Sequence, residues 1–413
     1  MDPVAAPAAS QPYTLTRIRV QGFKSLGDVS VEICPLTVLA GANSSGKSSV
    51  MQPLLLIKQT LESAYNTGQN LLLDGPNVRL SDPAQVLPRG VEGDGRFVLE
   101  VESSERERTR LHYLLMDQMR IEGARGYVPG PATVEQAWKL DPSGRVDGSN
   151  TAGYTAPNGA TYVVWMPIGV HLGDICRAMI HIPGLRGLPE RRYPATASEA
   201  PYRGTFEPYT ASVVARWQHD APDKVDRLRR ALVHLNLTGA VEARQTGATE
   251  VELFVGRLPV GADGPDDLVS IADVGFGVSQ TLPVLVALIE ARPGALVYIE
   301  QPELHLHPRA QRALAGLFAD AARRGVRVIV ETHSSLFLLG IQTLVAEGTL
   351  DPSLVALHWF SRDTKGFTKV TPATLDENGA FGPDWPEDFS DTELDAQSAF
   401  LDAAMARKLS SAK

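Results

Sequence analysis

The octapeptide Gly41-Ala42-Asn43-Ser44-Ser45-Gly46-Lys47-Ser48 fits the pattern G-x-x-x-x-G-K-[ST] without a mismatch. The chemistry that asks for those residue types is the binding of a phosphate chain. Glycines let the backbone curl so that several N–H groups converge on one anion. A helix starting at the same place adds partial positive charge. Lys47 would reach the β- and γ-phosphates, and the Ser48 hydroxyl would ligate Mg²⁺. The expected nucleotide contacts here are Asn43, Ser44, Ser45, Gly46, Lys47, Ser48 and Ser49. Lys24, in the turn Gly22-Phe23-Lys24-Ser25, is a further candidate phosphate contact, with a plain exposed turn lysine as the alternative.

A second group lies far downstream. The run Ala295-Leu296-Val297-Tyr298-Ile299 is apolar and ends in Glu300-Gln301-Pro302-Glu303. Such a strand delivers a carboxylate to the Mg²⁺ of a bound nucleotide. Glu300 is the metal-side acid by position, beside Ser48. The following residue orients or deprotonates the attacking water; here it is Gln301, an amide that orients water but takes no proton. Glu303 and His333 are then the candidates for the missing base. His333 stands in Thr332-His333-Ser334, at the end of the apolar run Arg327–Glu331, where an imidazole can reach a γ-phosphate. Upstream, Gly275, Gly277 and Ser279 precede an apolar helix predicted over Thr281–Glu290 and form a candidate anion nest. One protomer's phosphates are already held by the Gly41 loop, so this nest points to a nucleotide presented by another subunit. His305 and His307 read as an interface loop, with a zinc pair as the alternative.

These groups need elements to position them. Alternation predicts strands over Tyr13–Val20 and Val29–Ile33. Leu36–Ala40 reads as a buried strand, and helical spacing of Val50, Leu54, Leu55 and Ile57 predicts a helix over Ser49–Leu61. Residues 90–260 read as a β-rich, then helical insertion. It has alternating stretches at Arg96–Val101, Arg110–Ile121 and Ala160–Pro167, and a loose connection near Gly144–Gly159. Further on come helices at Tyr209–His219 and Pro222–Leu235, and a strand at Glu250–Val255. The loop Ile180–Tyr193 carries Arg186, Arg191 and Arg192, whose forks suit phosphate oxygens near nucleotide or nucleic acid, or an ordinary surface loop. A helix is predicted over Arg309–Arg323 and another over Thr392–Leu409. The resulting units are 13–89, 90–260, 261–360 and 361–413. Acids of the last unit, Asp384, Glu387, Asp388, Asp391 and Asp395, read as a solvated tail rather than a metal cluster.

Composition narrows the class. With 43% hydrophobic and 21% charged residues the chain is an ordinary globular protein. A net charge of −9 argues against a surface built overall for nucleic acid or anionic membrane, though a local basic groove is compatible with it. Cys34 and Cys176 have no metal-ligand spacing, which fits a reducing compartment. No leader pattern and no membrane-spanning apolar run is visible, so a cytoplasmic location without membrane contact is expected.

Taken together, the Gly41–Ser48 loop, the Gly275–Gln280 segment, Ile299–Pro308 and Thr332-His333-Ser334 resemble the Walker A, signature, Walker B and switch-histidine motifs of ABC-type ATPases. The string Ile299 to Pro308 and the Gly22–Ser25 start resemble more narrowly the RecF/SMC-like AAA ATPases of prokaryotes, including OLD-family and septu-type members of antiphage systems. Residues 376–389 are similar to the short C-terminal segment of one branch. The likeness covers 13–85 and 268–400. It implies an α/β fold: an ABC-type P-loop ATPase head with a mixed central sheet, flanking helices, the insertion and no long coiled coil. It also implies ATP and Mg²⁺ as cofactors and nucleotide held between two subunits, as a homodimer or higher even oligomer. About eighty residues follow His333, so a Toprim nuclease domain is not expected in this stretch. The expected function is an ATP-binding, slowly hydrolysing switch that controls a separate effector, such as a nuclease, in antiphage defence. The alternatives are a RecF-like ATPase of DNA repair or DNA ends, with nucleic acid as partner, and an ATP sensor that does not hydrolyse.

Overall fold

The structure, a computed structural model, describes residues 14–63, 70–88, 95–104, 170–196, 199–257 and 267–382, and between 105 and 169 the backbone of five further strands. The chain opens with β1 (Leu15–Phe23), β2 (Leu26–Glu32) and β3 (Leu36–Gly41), followed by α1 (Lys47–Glu62). All of β3 is buried. Its side chains alternate between two cores. Leu36, Val38 and Ala40 pack on one face and Leu39 on the other, as a strand covered on both sides requires.

β1 pairs with β2 and then with β4 (Arg96–Ser103). Beyond it lie β5 (Arg108–Leu115), β6 (Met119–Val128) and β7 (Val134–Ala137), giving an antiparallel sheet in the order β2-β1-β4-β5-β6-β7. The single alternating stretch expected over Arg110–Ile121 is thus two strands of a hairpin, and the β-rich segment extends the N-terminal sheet. β8 (Thr151–Thr155) and β9 (Thr161–Trp165) pair with each other, so the glycine-rich connection near Gly144–Gly159 contains a strand.

Next come α2 (Val170–Ala178), β10 (Ile180–Ile182), β11 (Tyr193–Pro194), α3 (Thr210–Asp220) and α4 (Pro222–His234). A small sheet of β12 (Val241–Thr246), β13 (Glu250–Gly256) and β14 (Leu268–Ser270) also takes in β11. The chain then runs through α5 (Phe276–Glu290), β15 (Leu296–Glu300), α6 (Pro308–Arg323), β16 (Arg327–Thr332), α7 (Ser335–Ala346), β17 (Val355–Arg362) and β18 (Thr368–Ala373). The expected helix at 392–409 and the acids at 384–395 lie outside the described residues.

The central sheet has the order β10-β15-β16-β3-β17-β18. Its first five strands are parallel and β18 is antiparallel on the edge. Val297, Ile299, Val328 and Val330 face the core shared with α3 to α6, while Leu296, Tyr298, Ile329 and Phe360 face the core under α1 and β1. The fold is α/β, a mixed central sheet with flanking helices. The ends of β3, β15 and β16 bring together the segments singled out above, at the carboxyl edge where open parallel sheets bind ligands.

Candidate nucleotide site

Gly46 ends the glycine loop with φ of 104° and stands at the N-cap of α1. A Cβ there would lie 2.2 Å from Thr368 Oγ1, so both the backbone angle and the close approach demand glycine. Thr368, from β18, donates its hydroxyl to the Ser45 carbonyl at 2.8 Å, and Arg362 Nε from β17 donates to the Ser44 carbonyl at 2.7 Å. The loop is therefore braced by a hairpin more than 300 residues away, which the sequence reading did not place at the site. α1 starts at Lys47, two residues before the expected start, because the loop feeds directly into the first turn.

Lys47 is buried, and its ammonium donates to the Gly41 and Ala42 carbonyls at 3.0 and 2.8 Å. Burial lowers its pKa; the charges of Glu331 and Glu303 oppose that. A cavity of about 400 Å³ opens over the loop. It is lined by 43–49, by Gln52 and Arg362, and by Gln301, Glu331 and His333 from two other strand ends. Every loop residue expected to contact nucleotide, together with Gln301 and His333, meets there.

The acids divide differently from their order in the chain. Ser48 Oγ donates to Glu331 Oε1 at 3.0 Å, and Tyr298 Oη donates to Glu331 Oε2 at 3.1 Å. In the sequence Glu331 reads only as the end of an apolar strand. The available signal was a glutamate closing an apolar strand directly before Thr-His-Ser. Burial, then the nearby Glu300 charge, pushes its pKa up to about 6. The Glu300 carboxylate, by contrast, accepts from His181 Nε2 and from the Gly184 N–H, each at 3.2 Å. Asn77 Nδ2 lies 3.0 Å from His181 Nδ1, which leaves the ring proton on Nε2, facing Glu300. Burial is the largest influence on the Glu300 pKa and raises it, but the hydrogen bond and charge of His181, the Gly184 N–H and the Tyr298 hydroxyl together outweigh it, and the net shift is downward.

Glu303 is buried and accepts from Thr332 Oγ1 at 2.8 Å and from the His333 N–H at 2.7 Å. Burial raises its pKa. It does not line the cavity; its contacts fix the turn that carries His333. The imidazole of His333 has its pKa lowered by burial and by the charge of Lys47, which keeps the ring neutral at pH 7. Gln301 has a left-handed backbone, φ 44°, and its N–H donates to the Glu331 carbonyl at 2.7 Å.

Lys24 does not line this cavity. Its ammonium donates to Gln52 Oε1 at 2.6 Å and faces a neighbouring hollow of about 590 Å³ with Arg362 and Lys365. Gly275, Gly277 and Ser279 also stand apart from the cavity. Gly275 is the N-cap of α5, and Gly277 and Ser279 lie inside the helix, which begins at Phe276 rather than Thr281. Ser279 Oγ donates to the Phe276 carbonyl at 3.3 Å. Phe276 is 47% exposed at the helix tip and sits against the His305 ring. His307 caps α6, its Nδ1 accepting from the Arg309 N–H. In the arginine loop, Arg191 pairs with Asp273, Arg192 with Glu250 and Glu252, and Arg186 is buried.

The donors that could hold a metal are hard oxygens, Ser48 Oγ and the Glu331 carboxylate. That set suits Mg²⁺ completed by phosphate and water oxygens. Among the described residues no group of three or more His, Cys, Asp or Glu side chains could hold a metal ion by itself. In the same residues no helix is long and apolar enough to cross a membrane.

Residues 218–339 match a family model described as "AAA domain, putative AbiEii toxin, Type IV TA system". No curated protein matches the chain. Among solved structures the chain is similar to an SMC head bound to the C-winged helix domain of ScpA, at 14% identity and a TM-score of 0.46, with 88% of this chain and 98% of that one covered. It is similar to the SMC head domain from Thermotoga maritima at 12% identity and a TM-score of 0.39, covering 87% and 98%. A third is the SMC head with an extended coiled coil bound to the C-terminal domain of ScpA derived from Pyrococcus furiosus, at 12% identity and a TM-score of 0.46, covering 88% and 96%. What defines the fold of this chain is its strand order and the loops at the carboxyl edge of the central sheet.

Proposed function

We propose that this chain is an ATP-binding, slowly hydrolysing switch subunit that pairs around nucleotide and controls a separate effector. The observation that carries this reading is the convergence of three segments on one cavity: the loop 43–49, Gln301 beyond β15, and Glu331 with His333 at the end of β16. Loop amides and Lys47 suit the phosphates, Ser48 with a carboxylate suits Mg²⁺, and Gln301 and His333 face the space where a γ-phosphate and its attacking water would lie. ATP is the nucleotide and Mg²⁺ the metal in this reading. Bound Mg²⁺ would supply charge neutralisation between the β- and γ-phosphates.

Pairing is supported by the position of the α5 start. Gly275 and Phe276 lie at the surface, away from their own cavity, free to meet the phosphates of a second subunit with two-fold symmetry. Slow turnover is supported by Gln301, an amide where a base is expected, and by the burial of Glu303 away from the cavity. Control of a separate effector in antiphage defence goes beyond the family description matched by 218–339, which names a "putative AbiEii toxin, Type IV TA system". The DNA-binding alternative loses its local support, because Arg191 and Arg192 are paired to acids.

The test is ATP turnover measured beside mass in solution, with and without ATP and Mg²⁺, for the wild type and Gln301→Glu. The expected result is ATP-driven doubling of mass, slow turnover by the wild type and faster turnover by the variant. No nucleotide binding, or rapid wild-type turnover without any paired form, overturns the reading.

A further inference from the structure

Sequence order assigns the metal-facing acid to Glu300, at the end of the strand that follows the glycine segment. The geometry points to Glu331 instead: we infer that Glu331, on the neighbouring strand, is the carboxylate that faces the metal ion beside Ser48. This inference rests on the nucleotide reading above and deepens it.

β15 and β16 run parallel with Glu300 paired to Glu331. Two acids therefore reach the same edge at the same level, and their partners decide which serves the phosphate loop. Glu300 is turned to β10 and its loop, where His181 Nε2 and the Gly184 N–H satisfy both of its oxygens. Glu331 is turned to β3 and α1, where Ser48 Oγ lies 3.0 Å from its Oε1. Neighbouring ligands of an octahedral magnesium, with bonds of about 2.0–2.1 Å, lie about 2.9 Å apart. The Ser48–Glu331 separation of 3.0 Å matches that spacing. Tyr298 holds the other oxygen, Oε2, at 3.1 Å and fixes the plane of the carboxylate. That hydroxyl is fully buried and lies between the two carboxylates, within hydrogen-bond reach of Glu300 as well. Glu331 also lines the cavity over the loop, and Glu300 does not. Glu300 becomes a positioning residue that anchors the Gly184 loop to β15.

The test uses the full chain, a fluorescent ATP analogue and Mn²⁺ as the metal probe. Affinity for the analogue is measured in chelator and again in Mn²⁺, and the ratio is the metal-dependent gain. Glu331→Gln is expected to keep the affinity seen in chelator and to lose about 10–100-fold of the gain. Glu300→Gln is expected to keep most of the gain. A wild-type gain that survives in Glu331→Gln overturns the inference and leaves the nucleotide reading standing. A wild type with no affinity under either condition overturns both. If Glu331→Gln also loses affinity in chelator, Glu300→Gln decides: an intact gain supports the inference, and a lost gain overturns it.

Discussion

Arg186 holds the backbone of Gln301 from beneath. Its Nη2 donates to the Gln301 carbonyl at 3.0 Å and to the Glu300 carbonyl at 2.6 Å, while Nη1 donates to the Gln280 carbonyl at 3.2 Å. Gln280 returns the contact through Nε2 to the Arg186 and Gly187 carbonyls, at 2.8 and 3.0 Å. One buried guanidinium thus ties the glycine segment of α5 to the residue that replaces the expected base. Gln301 sits in left-handed backbone, a conformation that costs a non-glycine residue about 1–3 kcal/mol unless its surroundings hold it. Burial lowers the Arg186 pKa to about 10, so the fork remains charged at pH 7. Arg186→Lys, which keeps the charge but loses the fork, is expected to cut turnover about tenfold or more and leave nucleotide affinity within about threefold. Steady-state turnover beside equilibrium binding checks this; an equal loss in both would assign Arg186 to general stability.

The brace on the phosphate loop gives a second expectation. Gly46→Ala places a methyl 2.2 Å from Thr368 Oγ1 in a backbone held at φ 104°. Nucleotide affinity is expected to drop by about tenfold or more, from about 1–3 kcal/mol of strain in the loop. Removing the clash with Thr368→Ala restores only part of it, since the backbone angle stays forbidden. Calorimetric titration of both variants separates the two causes, and wild-type affinity in Gly46→Ala would refute the account.

Pairing is tested at the tip of α5. An added side chain at Gly277 would meet the His305 carbonyl at 3.3 Å and Leu237 at 3.5 Å, a tight but adjustable fit. An aspartate in the first turn of a helix is otherwise favourable. Gly277→Asp should leave the melting temperature within a few degrees and ATP affinity of the single chain intact. Its charge would repel a partner's phosphates, so the mass increase on adding ATP should vanish in light scattering. An unchanged increase would remove α5 from the shared contact.

Glu290 is the main buried acid of the helical side, and its role is stability. It accepts from Arg216 Nη2 at 2.7 Å, Trp217 Nε1 and Lys224 Nζ at 2.8 Å, and Tyr202 Oη at 3.2 Å. Burial pushes its pKa up, but the hydrogen bonds from Lys224, Arg216 and Trp217 outweigh it and the value ends below the ordinary one. A depressed acid contributes stability that is present above the unfolded pKa of about 4.3 and disappears as pH falls through the folded value. Glu290→Ala is expected to cost about 3–5 kcal/mol at pH 7, by leaving its cationic partners uncompensated. Urea unfolding at pH 7 and pH 3 checks this: the gap between wild type and variant should narrow at the lower pH.

How much of this could be read from the chain depends on distance along it. The loop from Gly41 to Ser48, the strand before it and the order of acid, helix, strand and histidine were legible, because each is a local pattern with its own periodicity. The start of α5 was placed five residues late, since Gly275 and Gly277 read as punctuation although Phe276-Gly277-Val278-Ser279 continues the helix. The contact of Glu331 with Ser48 and the brace from Thr368 were not legible. Both join residues hundreds of positions apart through the register of the central sheet, and no local spacing encodes that register.

The brace also bears on the order in which the molecule is made. Thr368 Oγ1 meets the Ser45 carbonyl across 323 residues of chain. During synthesis the loop emerges well before the hairpin that shapes it, and such long-range closure is slow to form. The shape of the loop is then acquired only when the β17–β18 hairpin docks. A nascent or truncated chain without that hairpin would carry the whole loop sequence and still lack the contact that shapes it.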